Sequence, residues 1–182
     1  MGYLVLLTGP PGVGKTTAIM RIMARLPGQA AGFYTSEIRE GRRRVGFRLT
    51  TLDGREGILA HVRIRRGPRV GKYGVDLGVL DTLGVDAIHR AVRGADYVVI
   101  DETGKMELLS PSFKEAVWDA IHSEKPILAT IMSRPHPWAD ELKRHPDALL
   151  LTLTRENRDE LVDRVVMDIW PRIRGKPAHR AQ

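Results

Sequence analysis

Cysteine is absent from the 182-residue chain, which excludes disulfide bonds and thiolate metal sites. Long apolar runs are missing as well, since no stretch reaches the roughly 18 residues that a membrane-spanning helix requires. Residues 1–8 have the pattern of a strand and lack the basic segment and cleavage site of a secretory signal. We therefore expect a cytoplasmic protein that does not enter a membrane.

Acidic residues are fewer than basic ones. The chain has 22 Asp and Glu residues and 29 Lys and Arg residues, which gives a net charge of +7. A cationic surface attracts polyanions such as nucleotides, nucleic acids or anionic lipids, and charge alone does not select among them. The length suits one three-layer domain, which we place at residues 1–173 and expect to be monomeric. Residues 174–182 are basic and polar without an apolar stripe, which predicts a frayed tail.

A glycine-rich stretch at residues 9–17 follows an apolar strand, precedes an amphipathic helix and matches the pattern G-x-x-x-x-G-K-[ST]. Its glycines allow successive backbone N–H groups to point inward at phosphate oxygens, beside the positive end of the helix dipole. The pattern assigns the β- and γ-phosphates to Lys15, a Mg²⁺ ion to the Thr16 hydroxyl and the α-phosphate to Thr17. The predicted nucleotide-binding residues of this loop are Gly9, Pro10, Pro11, Gly12, Val13, Gly14, Lys15, Thr16 and Thr17.

Two carboxylates end another apolar strand, which runs from residue 95 to residue 102. In proteins with a phosphate loop such a strand supplies the acid that positions the metal, so we assign Asp101 to Mg²⁺. Glu102 is the predicted base that orients and polarises the attacking water. Lys105 either offsets phosphate charge or is a solvated loop lysine. Glu107 is close enough in sequence to line the same cleft, without a defined role.

Arg134 follows a buried strand at residues 127–131, at the edge where ligands bind in open α/β sheets. It is either an arginine finger in cis or a surface ion-pair partner. Thr130, within that strand, and Ser133 are both candidate sensors of the γ-phosphate.

The last helix begins with polar residues that also have two interpretations. Asn157 and Arg158 either contact the base or ribose of a nucleotide, or they cap the helix together with Thr154. We include both in the predicted nucleotide-binding set.

Residues 31–62 contain three strand-like segments, with a hairpin-turn signal at Asp53-Gly54. They predict an antiparallel block that joins or extends the parallel core. Residues 63–78 are basic and rich in glycine, which predicts a loop. This loop is a solvated surface, a lid over the nucleotide phosphates, or a nucleic-acid patch, and the last is weakened because Tyr73 is its only aromatic residue.

Four segments together resemble the small thermophilic nucleoside-triphosphatase family, which includes the cancer-related nucleoside triphosphatase. Many families share the phosphate loop, whereas the combination is much more specific. The segments are Gly9–Thr17, Gly32–Arg39, Asp101–Leu108 and Asn157–Asp159. The resemblance extends from Tyr3 to Ile173, and it departs from the family pattern at Thr103, where we expect a small apolar residue.

The resemblance implies a three-layer α/β fold of the RecA-like P-loop type, with a mostly parallel central sheet. It also implies Mg²⁺-dependent hydrolysis of nucleoside triphosphates to diphosphate and phosphate, with broad tolerance of ATP, GTP, CTP and UTP. The family's phosphate loop corresponds to Gly9–Thr16, and its acidic strand end to Asp101 and Glu102. The catalytic candidates are Lys15, Glu102, Lys105 and Arg134.

Two other functions stay open. A nucleotide or nucleoside kinase on the same scaffold needs an acceptor pocket and a lid, for which the basic loop at residues 63–72 is a candidate. An RNA-regulated P-loop switch is suggested by the net charge of +7. Product analysis separates a kinase from a hydrolase, and salt-dependent RNA binding tests the switch.

Overall fold

The computed structural model describes residues 3–123 and 125–174. Nine strands form one sheet. The strands are β1 (Leu4–Gly9), β2 (Ala30–Glu40), β3 (Arg43–Thr51), β4 (Glu56–His61), β5 (Arg69–Val70), β6 (Tyr73–Val75), β7 (Tyr97–Thr103), β8 (Ile127–Met132) and β9 (Ala148–Thr152).

Helices connect these strands. The α-helices are α1 (Lys15–Met23), α2 (Leu77–Val79), α3 (Asp86–Gly94), α4 (Pro111–His122), α5 (Pro137–Lys143), α6 (Arg158–Arg164) and α7 (Trp170–Arg174). Two π-helical segments, Leu80–Val85 and Val165–Ile169, and a 3₁₀ turn at Glu107–Leu109 complete the set. No helix in the described ranges combines the length and apolarity that a membrane span requires. The predicted tail at 174–182 lies outside those ranges, except for Arg174, whose backbone ends α7.

The sheet order is β5-β6-β4-β3-β2-β7-β8-β1-β9. Strands β2, β7, β8, β1 and β9 pair in parallel, and β3 to β6 pair antiparallel. Every residue of β1 and of β8 is buried, which explains why their sequences are continuous apolar runs rather than alternating ones. The predicted three-layer α/β class with a mostly parallel central sheet is therefore confirmed.

Side chains on successive strand positions enter opposite layers. Leu4 and Leu6 belong to the core on the side of α3 and α4, whereas Val5 and Leu7 pack with α1 and α6. Such alternation follows from the two-residue period of a strand. It gives the sheet one apolar core on each face.

The antiparallel block, which we call the arm, comprises residues 35–75. It grows from β2, which pairs with β7 from Ala30 to Tyr34 and with β3 from Phe33 to Glu40. The predicted loop at 63–78 is partly wrong, because β5 and β6 form a small hairpin there that pairs with β4. These strands have only two and three residues, too few to show alternation in the sequence.

Candidate active site

The phosphate loop connects β1 to α1 at the carboxyl edge of the sheet. Gly12 and Gly14 have φ values of 77° and 102°, which lie in the left-handed region that favours glycine. A Cβ atom at Gly9 would lie 2.6 Å from the carbonyl oxygen of Leu153, so this position has no room for a side chain. The buried Lys15 donates from Nζ to the carbonyl oxygens of Gly9 and Pro10, at 3.1 and 3.4 Å. Its ammonium group therefore lies across the mouth of the loop.

Asp101 lies beside this loop, at the end of β7, and is 1% exposed. Its Oδ1 accepts a hydrogen bond of 2.6 Å from the Thr130 hydroxyl, and the carboxylate also hydrogen-bonds the side chain of Thr16. Burial raises the pKa of Asp101 to about 6, against the opposing effect of these two hydrogen bonds. Its Oδ2 is buried and has no hydrogen-bond partner among the described residues.

An unpaired, buried carboxylate oxygen next to a threonine hydroxyl suits a hard cation such as Mg²⁺, which prefers oxygen ligands. Within the described residues no group of three or more His, Cys, Asp or Glu side chains could hold a metal ion. Mg²⁺ in nucleotide sites is typically bound by one or two protein oxygens together with phosphates and waters. Thr16 and Asp101 fit that donor set.

Glu102 and Glu107 lie on either side of Gly104. The Oε2 atom of Glu107 accepts a hydrogen bond of 3.0 Å from the Gly104 backbone N–H. A Cβ atom at Gly104 would lie 3.1 Å from Glu107 Oε2 and 3.3 Å from Glu102 Oε1. Only glycine leaves both carboxylates undisturbed at this turn.

Glu107 is 5% exposed. Burial, followed by the negative charge of Glu102, raises the pKa of Glu107 to about 8. The carboxyl group is therefore mainly protonated at neutral pH. The sequence analysis assigned no definite role to Glu107, although its position within an apolar stretch is the signal of a buried acid.

Lys105 and Arg134 line one side of a cleft of about 410 Å³ that opens beside Lys15 and Glu102. Both side chains are exposed, and neither forms an ion pair with another residue of the described ranges. Thr130, predicted as a phosphate sensor, instead holds Asp101 through its hydroxyl. The structure thus brings Lys15, Glu102, Lys105 and Arg134 to one cavity.

The side chain of Asn157 forms hydrogen bonds within the turn before α6. Its Oδ1 accepts from the backbone N–H of Thr154 at 2.8 Å, and its Nδ2 donates to the carbonyl oxygen of Thr152 at 2.9 Å. Thr154 Oγ1 accepts from the backbone N–H of Asn157 in return, at 3.2 Å. These bonds hold the turn that precedes α6, whereas the Asn157 side chain forms no cap hydrogen bond to the helix itself.

Arg158 lies against the phosphate loop. A Cβ atom at Gly14 would be 3.2 Å from its Nη1, and its Nε is buried without a hydrogen-bond partner within residues 3–123 and 125–174. The side chain therefore lies beside Gly14 of the phosphate loop. An unpaired buried guanidinium nitrogen at this position suits a phosphate oxygen.

The arm supplies cleft residues that the sequence analysis missed. Arg44, Phe47 and Tyr73 line the same cleft as Lys105 and Arg134. Arg44 donates from Nε to the Tyr73 hydroxyl at 3.0 Å, although 29 residues separate the two. No local pattern predicts a contact of this kind, because it depends on how β3, β4 and β6 pair.

Comparison with known proteins gives one consistent result. A family model described as NTPase matches residues 4–166. The chain is 44% identical over 162 residues to the nucleoside-triphosphatase THEP1 of Thermotoga maritima, covering 89% of this chain and 92% of that protein. It is 47% identical over 171 residues to the protein of the same name from Thermofilum pendens, covering 90% and 93%.

Two solved structures have the same fold. The crystal structure of THEP1 from Aquifex aeolicus superposes with a TM-score of 0.81 at 38% identity, covering 88% of this chain and 95% of that one. The solution structure of a human cancer-related nucleoside triphosphatase gives a TM-score of 0.75 at 36% identity, covering 92% and 97%.

Proposed function

The chain belongs to the NTPase family, and from that premise we propose that it is a Mg²⁺-dependent nucleoside triphosphatase with little selectivity for the base. The reaction converts a nucleoside triphosphate and water to the diphosphate and inorganic phosphate. One observation carries this proposal. The buried Oδ2 of Asp101 has no hydrogen-bond partner in the described part of the chain, and it belongs to a carboxylate that hydrogen-bonds Thr16 at the start of α1.

The phosphate loop binds the triphosphate through its backbone N–H groups and Lys15. Nζ of Lys15 leaves the carbonyl oxygens of Gly9 and Pro10 and contacts the β- and γ-phosphates instead. Thr16 and Asp101 would hold Mg²⁺, which would neutralise phosphate charge. Arg158 adds a cation on the opposite side of the loop, at Gly14.

Glu102 acts as the base. It is half-buried at the junction of the phosphate loop and the cleft, where an attacking water approaches the γ-phosphate. Its carboxylate accepts a proton from that water as the new oxygen–phosphorus bond forms and the bond to the β-phosphate oxygen breaks. Lys15, Lys105 and Arg134 stabilise the negative charge that develops on the phosphoryl oxygens.

Broad base tolerance is supported by the hydrogen bonds that the Asn157 side chain forms with its own turn. Hydrogen bonds to Thr154 and Thr152 use one acceptor site of its amide oxygen and one N–H of its amide nitrogen, which holds the side chain against its own turn. Arg158 lies against Gly14 of the phosphate loop. We therefore expect neither residue to discriminate among the four nucleobases.

Phosphate release from ATP, GTP, CTP and UTP, each with Mg²⁺ and then with EDTA, tests the proposal. We expect kcat/KM values within about tenfold of one another, since selectivity beyond that requires specific hydrogen bonds to the base. EDTA should abolish release from all four. A strong preference for one nucleotide, undiminished turnover in EDTA, or release only when an acceptor is added would each contradict it.

A further inference from the structure

The positive charge of the molecule is concentrated at one end of the arm. We define the arm tip as residues 37–44 and 61–73, which contain nine basic and two acidic residues. Its net charge of +7 equals that of the whole chain, so the remaining residues are electrically balanced. Charge at this density is an electrostatic footprint for a polyanion.

Most cations of the tip are free to meet a ligand. Glu37 pairs with Arg39 and Arg44, and Glu40 pairs with Arg63. Five further arginines are exposed and form no ion pair within the described ranges: Arg42, Arg43, Arg65, Arg66 and Arg69. Arg69 donates only to backbone carbonyl oxygens. Unpaired exposed guanidinium groups clustered at one end of the arm suit the phosphates of a polynucleotide chain.

The arm tip adjoins the cleft, which is lined there by planar side chains. We call the guanidinium group of Arg44 and the ring of Phe47 the planar layer. The Arg44 guanidinium lies 5.0 Å from the centre of the Phe47 ring and 5.8 Å from that of Tyr73. The two rings contact edge to face, at 5.3 Å between centroids. Unstacked bases bind proteins by stacking on aromatic rings or on arginine planes of this kind.

We propose that the arm tip and cleft bind a single-stranded nucleic acid. The phosphates of the strand contact the exposed arginines of the tip, and one unpaired base enters the cleft and stacks on the layer formed by Arg44 and Phe47. A duplex does not fit this arrangement, because its bases are stacked on one another and unavailable to the cleft. An acidic protein segment would form ion pairs with the arginines of the tip but would place no base on the planar layer.

The electrostatic half of the proposal is tested by fluorescence anisotropy with a 5′-fluorescein-labelled oligouridylate of twelve nucleotides, without any triphosphate present. Binding should weaken steeply with salt, and the Arg65→Glu/Arg66→Glu variant should bind at least about tenfold more weakly. Losing two phosphate contacts should also reduce the slope of log K against log salt by about 1.4. The experiment does not depend on hydrolysis, so its failure is distinct from failure of the proposed function.

Arg93→Glu/Arg172→Glu is the matched control, because it makes the same change in net charge at two exposed residues outside the tip. Its affinity should stay close to that of the wild type. Equal losses in both variants would show a nonspecific response to net charge and would overturn the proposal.

The stacking half is tested on the unmodified protein with an abasic oligomer of the same length and charge. The oligouridylate should bind about tenfold more tightly than the abasic strand, as expected for one stacked base. Phe47→Ala should remove this preference while keeping the salt dependence. Equal binding of the abasic strand, of a duplex, or of a polyglutamate of matching charge would overturn the proposal.

Discussion

Glu107 is buried beneath the turn that follows Glu102, where its carboxyl group accepts a hydrogen bond from Gly104. Its pKa is raised to about 8 in the folded protein by burial and by the charge of Glu102. The unfolded chain ionises this group at a much lower pH. The contribution of the protonated carboxyl group to the free energy of unfolding is therefore complete at acid pH, and it is lost as the pH rises towards about 8.

Glu107→Gln should be more thermally stable than the wild type at pH 8, with a gain that shrinks as the pH falls to 4.5. Glutamine keeps the acceptor for the Gly104 N–H and never ionises. Thermal unfolding across this pH range measures the difference. A gain that is constant with pH, or a loss at pH 8, would contradict protonation of Glu107.

Gly104→Ala tests how closely the two carboxylates constrain their turn. The added methyl group would lie 3.1 Å from Glu107 Oε2 and 3.3 Å from Glu102 Oε1, so both groups must shift by a few tenths of an ångström. Because Glu102 is the proposed base, kcat should fall about tenfold while KM changes little.

Gly94→Ala is the control for that experiment, since no atom lies within 4 Å of a Cβ atom there. Steady-state phosphate release should be unchanged in this variant. Wild-type kcat in Gly104→Ala would show that the position of Glu102 does not limit turnover.

At the scale of the elements, the serine that caps the N-terminus of α4 also forms a hydrogen bond to the π-helical segment Leu80–Val85. Ser110 is fully buried, accepts from the Phe113 backbone N–H at 3.0 Å, and donates to Asp81 Oδ1 at 2.6 Å. Ser110→Ala should lower the free energy of unfolding by about 2 kcal/mol, from loss of the cap and of a bond to a carboxylate. Chemical denaturation measures this change, and the exposed Ser112→Ala should stay within about 0.5 kcal/mol. Equal effects of the two variants would contradict the role of the cap.

The cap and the phosphate loop were predictable because each depends on neighbours in the chain. Ser110-Pro111 is a local start signal for a helix, and Gly9 to Thr16 is a contiguous pattern. The β5–β6 hairpin was missed because Gly74 gives its segment the composition of a loop. In the structure a Cβ atom at Gly74 would lie 2.2 Å from the carbonyl oxygen of Ile64, so this glycine permits close packing rather than flexibility.

At the scale of the whole molecule, the site residues come from distant segments that the sheet order brings to one edge. Strand β1 lies between β8 and β9, and β7 lies between β2 and β8. That order places Lys15, Glu102 and Arg134 around one cleft, although Lys15 follows β1, Glu102 lies in β7 and Arg134 follows β8. The same topology brings the arm to the cleft, where Val70, Gly71 and Tyr73 line it. A lid was one of the interpretations that the sequence allowed for residues 63–78, whereas the contact between Arg44 and Tyr73 had no local signal, since these residues meet only through the pairing of three strands.

Nucleotide binding should stabilise the entire fold, because the phosphate loop joins β1 to α1 in the central layer. When the concentration of ADP, with Mg²⁺ present, is a hundred times the dissociation constant of ADP, binding should add about 2.7 kcal/mol to the free energy of unfolding. Lys15→Ala should lose most of this gain, whereas Lys114→Ala, a half-buried lysine on α4, should keep it. Thermal shift titrations of the three proteins measure the effect. An equal shift in Lys15→Ala would show that the nucleotide binds elsewhere.

The central claim is that Glu102 is the base of a hydrolase, and Glu102→Gln tests it most directly. The measurement is phosphate release from ATP with Mg²⁺ and no acceptor, beside a titration of nucleotide binding to the same variant. Glutamine keeps the shape of the side chain and removes its capacity to accept a proton, so release should fall by at least about a hundredfold while binding is retained. Phosphate release at the wild-type rate in this variant would contradict the account.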